Sequence, residues 1–411
     1  MFDRTVSFVV AASAGAATLT AASAPSPLYP VYERLWNFSP FVLTVIFAAY
    51  VVALLLALLT VGSLSDTVGR RPVTVGALVL LAVGMVIFSV SDGVGGLLAA
   101  RVVQGIAVGA ASGTITAMII DTGTKPRRTA VVSSAVAPFG IVVGAVLAGA
   151  LIEFAPLPRQ LVFWILAVVY LVIAGLVGFI PQQPNPHGRS WAAIGRSLRP
   201  SAGLPAAVRP VFFSLIPSLV ATWALAGLYL SLGSSVLGTV FGVRNHFAVG
   251  IVLGIFFAAG AVGTIVSAVL PAPVQEWLGY GTLALGVLVT IFGLSTTSLP
   301  LYVAGSAVAG LGFGSAIGFA FNALGEVAPS GRRGQVFATM YVLSYAAFSV
   351  PALAAGLAVE PFGLEPTAVV YAAADIALVL IATVIGLVRA SRRARADRPT
   401  APAISEPGTR S

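Results

Sequence analysis

The chain has 411 residues, of which 58% are hydrophobic and only 9% charged, with a formal net charge of +9 and no cysteine. A soluble fold, in which about a quarter of residues are charged, cannot hide so much apolar surface. The absence of cysteine excludes disulfides and thiolate metal sites, and two histidines far apart in loops, His187 and His246, make no metal cluster.

Apolar runs broken by polar or Pro/Gly-rich punctuation predict twelve membrane-spanning helices, at roughly 6–26, 41–61, 73–91, 96–120, 130–152, 161–180, 211–232, 247–270, 279–298, 301–324, 335–357 and 367–388. The ten-residue alternation of an outer-membrane barrel is not present, so the expected class is an all-α membrane protein. Arg4, the first apolar run and "TAASAPSP" also resemble a cleavable secretory signal.

Lys and Arg orient the chain. Of 22 such residues, only Arg34, Arg159 and Arg244 fall in one set of loops, and Arg101 lies inside a span. All the others fall in the alternate loops and the two tails. An excess of basic residues marks cytoplasmic loops, so both termini are expected in the cytoplasm of a multi-pass protein of the cell (cytoplasmic, inner) membrane. The basic balance is thus topology, and no nucleic acid partner is expected.

"VQGIAVGAASGTITAMIIDTGTKPRR" (103–128) lies without gaps on "VAGLGFGSAIGFAFNALGEVAPSGRR" (308–333) at an offset of 205. Val103, Gly105, Gly109 and Gly113 fall on Val308, Gly310, Gly314 and Gly318. Asp121 falls on Glu326, and Arg127–Arg128 on Arg332–Arg333. Glycine at every fourth residue keeps one helix face smooth for close packing. The offset is half the chain, which predicts two pseudo-symmetric six-helix halves, 1–180 and 209–388. A cytoplasmic linker at 181–208, with a short surface helix at 190–198, joins them, and a disordered tail runs over 389–411. Span 1 then pairs with span 7 and is expected to be retained.

The loop between spans 2 and 3 reads Gly62-Ser-Leu64-Ser-Asp66-Thr-Val-Gly69-Arg70-Arg71. It resembles the signature loop of the major facilitator superfamily, G-x-L-x-D-x-x-G-R-R/K, and lacks only the frequent basic residue after the Asp, where Thr67 stands. Arg101-Val-Val-Gln104-Gly105 in span 4 is similar to the family's R-x-x-Q-G motif. The resemblance covers essentially the whole chain and implies that superfamily's fold. In span 5, "GIVVGAVLAGA" departs from the antiporter motif G-x-x-x-G-P-x-x-G-G. Gly140, Gly144 and Gly149 are kept, but Ala145 replaces the proline and Ala148 the first closing glycine, so a plain helix-packing face is equally compatible.

A carboxylate beside a helix N-terminus is favoured by about 0.3–1 kcal/mol. Span 11 starts near Arg333, on the side of Asp66, so Asp66 is expected to dock there and latch the halves when the cytoplasmic side is closed. Asp66 and Arg70, four residues apart, are also placed to share a helix face. The resemblance implies the same latch role, with Asp121 joining it. At the offset of 205, Asp66 falls on Pro271, Arg70 on Gln275 and Arg71 on Glu276, so the second copy has lost the charges of this loop, while Glu326, Arg332 and Arg333 remain.

Ionisable groups inside the membrane are functional candidates by default. Arg101, with Gln104 and Gly105, is a candidate for proton coupling or substrate charge recognition, with snorkelling to the interface as the alternative. Asp375, in span 12, is a further coupling candidate, expected to sit partly at the interface or neutral. Thr18, Thr20 and Ser23, then Trp223 and Tyr229, then Tyr341 and Tyr345 are candidate substrate contacts. With no P-loop, no nucleophile–base constellation and no cofactor motif, the expectation is a non-enzymatic, cofactor-free monomer. It would move a small organic solute by alternating access, through proton-coupled efflux of drug-like or metabolite compounds. Proton-coupled uptake or facilitated diffusion of a nutrient stands as the alternative, and a transport-inactive sensor or scaffold on the same fold as a third.

Overall fold

The computed structural model describes residues 2–61, 64–181 and 203–396, and the backbone alone at Asp66, Arg127, Ser330 and 392–396. The described residues form helices and no strand. In chain order they are α1 (Arg4–Ser23), α2 (Tyr29–Trp36), α3 (Pro40–Val61), α4 (Leu64–Val68), α5 (Arg70–Val90), α6 (Val94–Thr122), α7 (Pro126–Phe154) and α8 (Leu161–Val177). The second series is α9 (Arg209–Ser231), α10 (Gly233–Thr239), α11 (His246–Ser267), α12 (Ala272–Ser295), α13 (Leu299–Val327), α14 (Arg333–Phe362) and α15 (Leu364–Ala396). Among the described residues, eleven helical stretches are long and apolar enough to cross a bilayer, and α8, with 17 residues, is a shorter apolar helix. Each expected span lies on one of these helices.

Their ends follow from local chemistry. The Asp3 side chain accepts from Val6 N–H at 2.7 Å and caps α1, and Asn245 caps α11 through Ala248 N–H at 2.8 Å. Prolines 25 and 27 supply no N–H, so α1 stops before them and its last carbonyls lack their usual donors. Gly69, at φ 108°, turns the chain between α4 and α5 in a region that L side chains avoid.

Residues 389–396 of the expected disordered tail are helical, because α15 continues through Ala396, and 397–411 lie outside the described residues. Arg389 is held there by the Glu276 carboxylate and by Ser214 Oγ at 2.9 Å, and arginines at a helix C-terminus are favoured by its dipole. The surface helix expected at 190–198 lies outside the described residues.

The repeated glycines do the same job in both halves. Gly105 and Gly109 of α6 press against the carbonyls of Tyr50 and Leu54 on α3, and Gly310 and Gly314 of α13 press against those of Phe256 and Gly260 on α11. A Cβ at Gly314 would run into the Gly260 carbonyl, and that backbone cannot swing away as a flexible side chain would. Gly314→Leu is therefore expected to destabilise the protein by about 1–3 kcal/mol or more, read as a lower unfolding midpoint in detergent. Gly113→Leu, where a Cβ meets nothing within 4 Å, serves as the tolerated control.

One end of the bundle carries the basic loops and is called the basic end below. The opposite end carries the turns after α1, α3's start, α7's finish and the start of α11.

Candidate functional site

Arg101 sits on α6, two turns in from Val94, and is fully buried. It does not snorkel. The break in α1 explains its position. Pro25 leaves the Ala21 carbonyl without a helical donor, and Gln104 Nε2 takes it; Arg101 Nη1 donates to Ala22 O at 3.3 Å. Arg101 also donates to Gln104 Oε1 at 2.8 Å and to the Tyr29 hydroxyl. Its guanidinium carbon lies 5.5, 5.4 and 5.8 Å from the ring centres of Tyr29, Tyr50 and Phe88, within cation–π range. Spacing three residues apart puts Arg101 and Gln104 on one face, and Gly105 lets α3 close in behind them. The cation thus lies against the negative end of α1 inside an aromatic box, and its Nε–H has no partner.

At the basic end, Arg70 forms an ion pair with Asp121 and donates to Ala117 O at 2.8 Å. Gly69, at φ 108°, interrupts the helix between Asp66 and Arg70, so their four-residue spacing is not that of one continuous helix. Asp66 lies on α4, and its side chain is outside the described residues, as is Gly62. Arg4, at the start of α1, donates to Asp121 O at 3.3 Å and Gly123 O at 3.2 Å. Arg71 opens α5 beside Arg70, Glu326 lies in the last turn of α13, and Arg332 and Arg333 form the turn into α14.

The second copy of the loop keeps the contact and changes its chemistry. Gln275 and Asn322, at the offset positions of Arg70 and Ala117, bond to each other at 3.3 Å. Glu276, at the offset position of Arg71, pairs with Arg389 of α15. The loop has not simply lost its charge, because one acid is redirected to the last helix.

Contacts between the two series of helices gather toward the end opposite the basic loops. Ser26 Oγ donates to Leu230 O at 2.9 Å and Ser235 Oγ to Glu33 Oε2 at 3.0 Å. The Glu153 carboxylate accepts from His246 N–H at 2.9 Å and meets His246 Nδ1 at 3.2 Å. Phe47 meets Phe348 at 4.9 Å and Phe154 meets Phe247 at 5.6 Å between ring centres. Glu153 places a carboxylate on the N-terminus of α11, the geometry expected of Asp66 at α14, but at the other end of the molecule. Sequence reading passed over Glu153, His246, Glu33 and Ser235. The available signal was an acid ending span 5 opposite Asn245-His246 opening span 8. At the basic end an apolar cluster around Phe212, Leu215, Phe319, Val336 and Met340 draws only on the second series.

The seven candidate substrate contacts separate into two groups. Thr18 bonds to Ala14 O at 2.7 Å along its own helix. Thr20 and Ser23 bond to Gly140 O and Ile141 O at 3.1 and 2.7 Å, tying α1 to α7. Tyr229 is buried against Phe256 and bonded to Ser306. Trp223, Tyr341 and Tyr345 do come together. Trp223 lies 5.2 Å from Tyr345, Tyr345 lies 6.2 Å from Tyr341, and Phe348 joins Trp223 at 5.8 Å beside Phe47 of the other series. Trp223 Nε1 is buried with no hydrogen-bond partner. Asp375, eleven residues into α15, is 2% exposed.

The sequence pattern of the Major Facilitator Superfamily matches residues 11–351. The chain belongs to that superfamily. It is similar to a bacterial homologue of the human lysosomal transporter Spinster, solved in an inward-facing and unoccupied conformation, with TM-score 0.73, 16% identity and coverage of 97% of this chain and 99% of that one. It is similar to the nucleoside transporter NupG, with TM-score 0.70, 11% identity and coverage of 92% and 99%. These likenesses show the fold. Inner membrane transport protein YajR of Escherichia coli (strain K12) is 30% identical over 127 residues, which is 31% of this chain and 27% of that protein. The chain is a multi-pass membrane protein of this superfamily.

Within the superfamily fold, the departures in span 5 have a structural consequence. Gly140 and Gly144 face α1, while Gly149 faces the His246 carbonyl of α11. Ala145 and Ala148 are fully buried, and a Cβ on Gly250 of α11 would strike the Ala145 carbonyl. Small residues here bring the two series into backbone contact.

Proposed function

We propose that this chain is a monomeric secondary carrier that moves a small organic solute across the cytoplasmic membrane by alternating access, with proton-coupled efflux of drug-like or metabolite compounds as the leading mode. The observation that carries this reading is the one-sided grouping of the contacts between the helix series. Serine, glutamate and phenylalanine contacts close the end opposite the basic loops, whereas among the described residues the hydrogen bonds of Arg4 and the ion pairs of Arg70 and Arg389 at the basic end each stay within one series. With the basic end in the cytoplasm, this arrangement is inward-open. The aromatic group of Trp223, Tyr341 and Tyr345 lies where the series approach, and Trp223 Nε1–H offers a free donor to a solute. Uptake of a nutrient is the second reading, favoured by Ala145 in the place of the antiporter proline.

In the cycle, Asp66 on α4 docks on the N-terminus of α14 when the cytoplasmic end closes, with Asp121 holding Arg70 in the same group. A latch of a few kcal/mol biases two states and still yields to substrate. Asp66→Asn is expected to slow transport at least fivefold while leaving membrane insertion and unfolding unchanged; wild-type flux in that variant would remove the latch. Everted vesicles under an imposed proton gradient test the whole reading. Solute-induced release of protons from the lumen supports efflux by antiport, and accumulation with the proton supports uptake. No flux across a broad panel favours a transport-inactive scaffold.

A further inference from the structure

Outside the place where the two helix series meet, α9, α14 and α15 wall a cavity of about 600 Å³. Its volume lies within the range of small-molecule pockets. The space exists because Ala224 of α9, Ala355 and Ala358 of α14 and Ala374 of α15 stand where larger side chains would fill it. Phe362 and Val370 at its rim are 70% and 68% exposed, so it opens sideways on the face turned to lipid.

The lining is apolar apart from Thr367, Tyr371 and Asp375. Two of these are already engaged as donors. The Thr367 hydroxyl donates to Gly363 O at 2.7 Å, and the Tyr371 hydroxyl donates to Ala224 O at 2.7 Å. Asp375 is 2% exposed, and neither carboxylate oxygen has a hydrogen-bond partner. It lies eleven residues into α15, about 16 Å along the helix from Leu364, well below the headgroups, and its short side chain cannot reach back to them. The other groups near it are phenols, Tyr371 on its own helix and Tyr229 on α9. Glu276 of α12 and Arg389 of α15 pair with each other, with Arg389 about 21 Å further along α15. Among the described residues α14 brings no ionisable group to the cavity wall.

An ionised carboxylate in such a wall needs a counter-charge. A metal ion needs several oxygen ligands that this wall does not supply, and an anion is repelled. A ligand that matches both features has a hydrophobic body and one positive charge. We propose that the cavity between α9, α14 and α15 binds a hydrophobic organic cation from the bilayer, with Asp375 as its counter-ion. The proposal concerns equilibrium binding and stands apart from whether, or in which direction, the chain transports.

Radiolabelled tetraphenylphosphonium, binding to the purified full-length protein in a neutral maltoside detergent with no gradient, tests it. Tetraphenylborate, of the same shape and opposite charge, is the control. The expected result is saturable binding of the cation at one site per chain, no saturable binding of the anion, and affinity that rises with pH as protons cease to compete for Asp375. Asp375→Asn, a near-isosteric change, is expected to weaken the cation at least tenfold. Ala358→Trp fills the cavity with Asp375 intact and is expected to abolish binding. Equal binding of anion and cation, a loss below threefold in Asp375→Asn, or undiminished binding in Ala358→Trp overturns the proposal. Since no flux is measured, a failed transport assay leaves this result untouched, and the reverse holds as well.

Discussion

Arg101→Ala is expected to lower stability by about 2–4 kcal/mol, read as an earlier transition in a denaturant titration of the detergent-solubilised protein. The substitution strips the Ala22 carbonyl, the Gln104 amide oxygen and the Tyr29 hydroxyl of a donor at once. A buried acceptor left without its donor costs about 1–3 kcal/mol, and the vacated volume among Tyr29, Tyr50 and Phe88 adds a cavity term. Release of a desolvated charge offsets part of this, which is why the sum stays below the simple total. Arg101→Lys keeps the charge and loses the planar fork that serves two helices together, so it is expected to fall between wild type and Arg101→Ala. Gln104→Ala removes the donor to Ala21 O and one acceptor of the Arg101 guanidinium, and is expected to cost about 1–3 kcal/mol. If Arg101→Ala unfolds with wild type, the aromatic box is not held by its cation. If Arg101→Ala is destabilised but Arg101→Lys matches wild type, charge alone suffices and the fork geometry has no role.

The spans and the half-chain repeat were legible because hydropathy and glycine spacing act locally. A 20-residue apolar run can only be a helix in lipid, and glycine at every fourth residue marks a face that another helix must touch. Partner identity was less legible. Spacing alone pointed Arg70 to Asp66, and it could not show that Asp121, far away in sequence, also meets the guanidinium. The Arg101 motif was visible, while its reason lay in another helix, where Pro25 frees a carbonyl. Thr20 and Ser23 read as cavity residues because polar groups in a span invite that view. Their hydroxyls instead bond to α7 carbonyls, a pairing that needs the packed geometry. Glu153 was passed over because nothing in its own span sets it apart, and its meaning comes from the α11 N-terminus that it caps.

Joining α7 to α11 across that contact is expected to stop turnover by more than tenfold. The chain has no cysteine, so an introduced pair is unique. Phe154 and Phe247 sit at the facing ends of the two helices with ring centres 5.6 Å apart, beside the Glu153–His246 pair. The Phe154→Cys/Phe247→Cys double variant, closed with a short bis-thiosulfonate linker, fixes the end opposite the basic loops in its present closed form. Alternating access requires that end to part while the basic end closes, so the linked protein is confined to one side of the cycle. Flux of a compound that scores in the vesicle assay should vanish on linking and return on reduction. Each single variant should retain most of its activity, because Phe154 is 71% exposed and carries little packing. Full transport by the linked protein would mean that α7 and α11 never separate, and the one-sided grouping of contacts would then be a fixed feature of the fold. Loss of flux that reductant restores identifies the same grouping as one of two working states, with backbone contact through Gly149, Ala145 and Gly250 as the surface that opens.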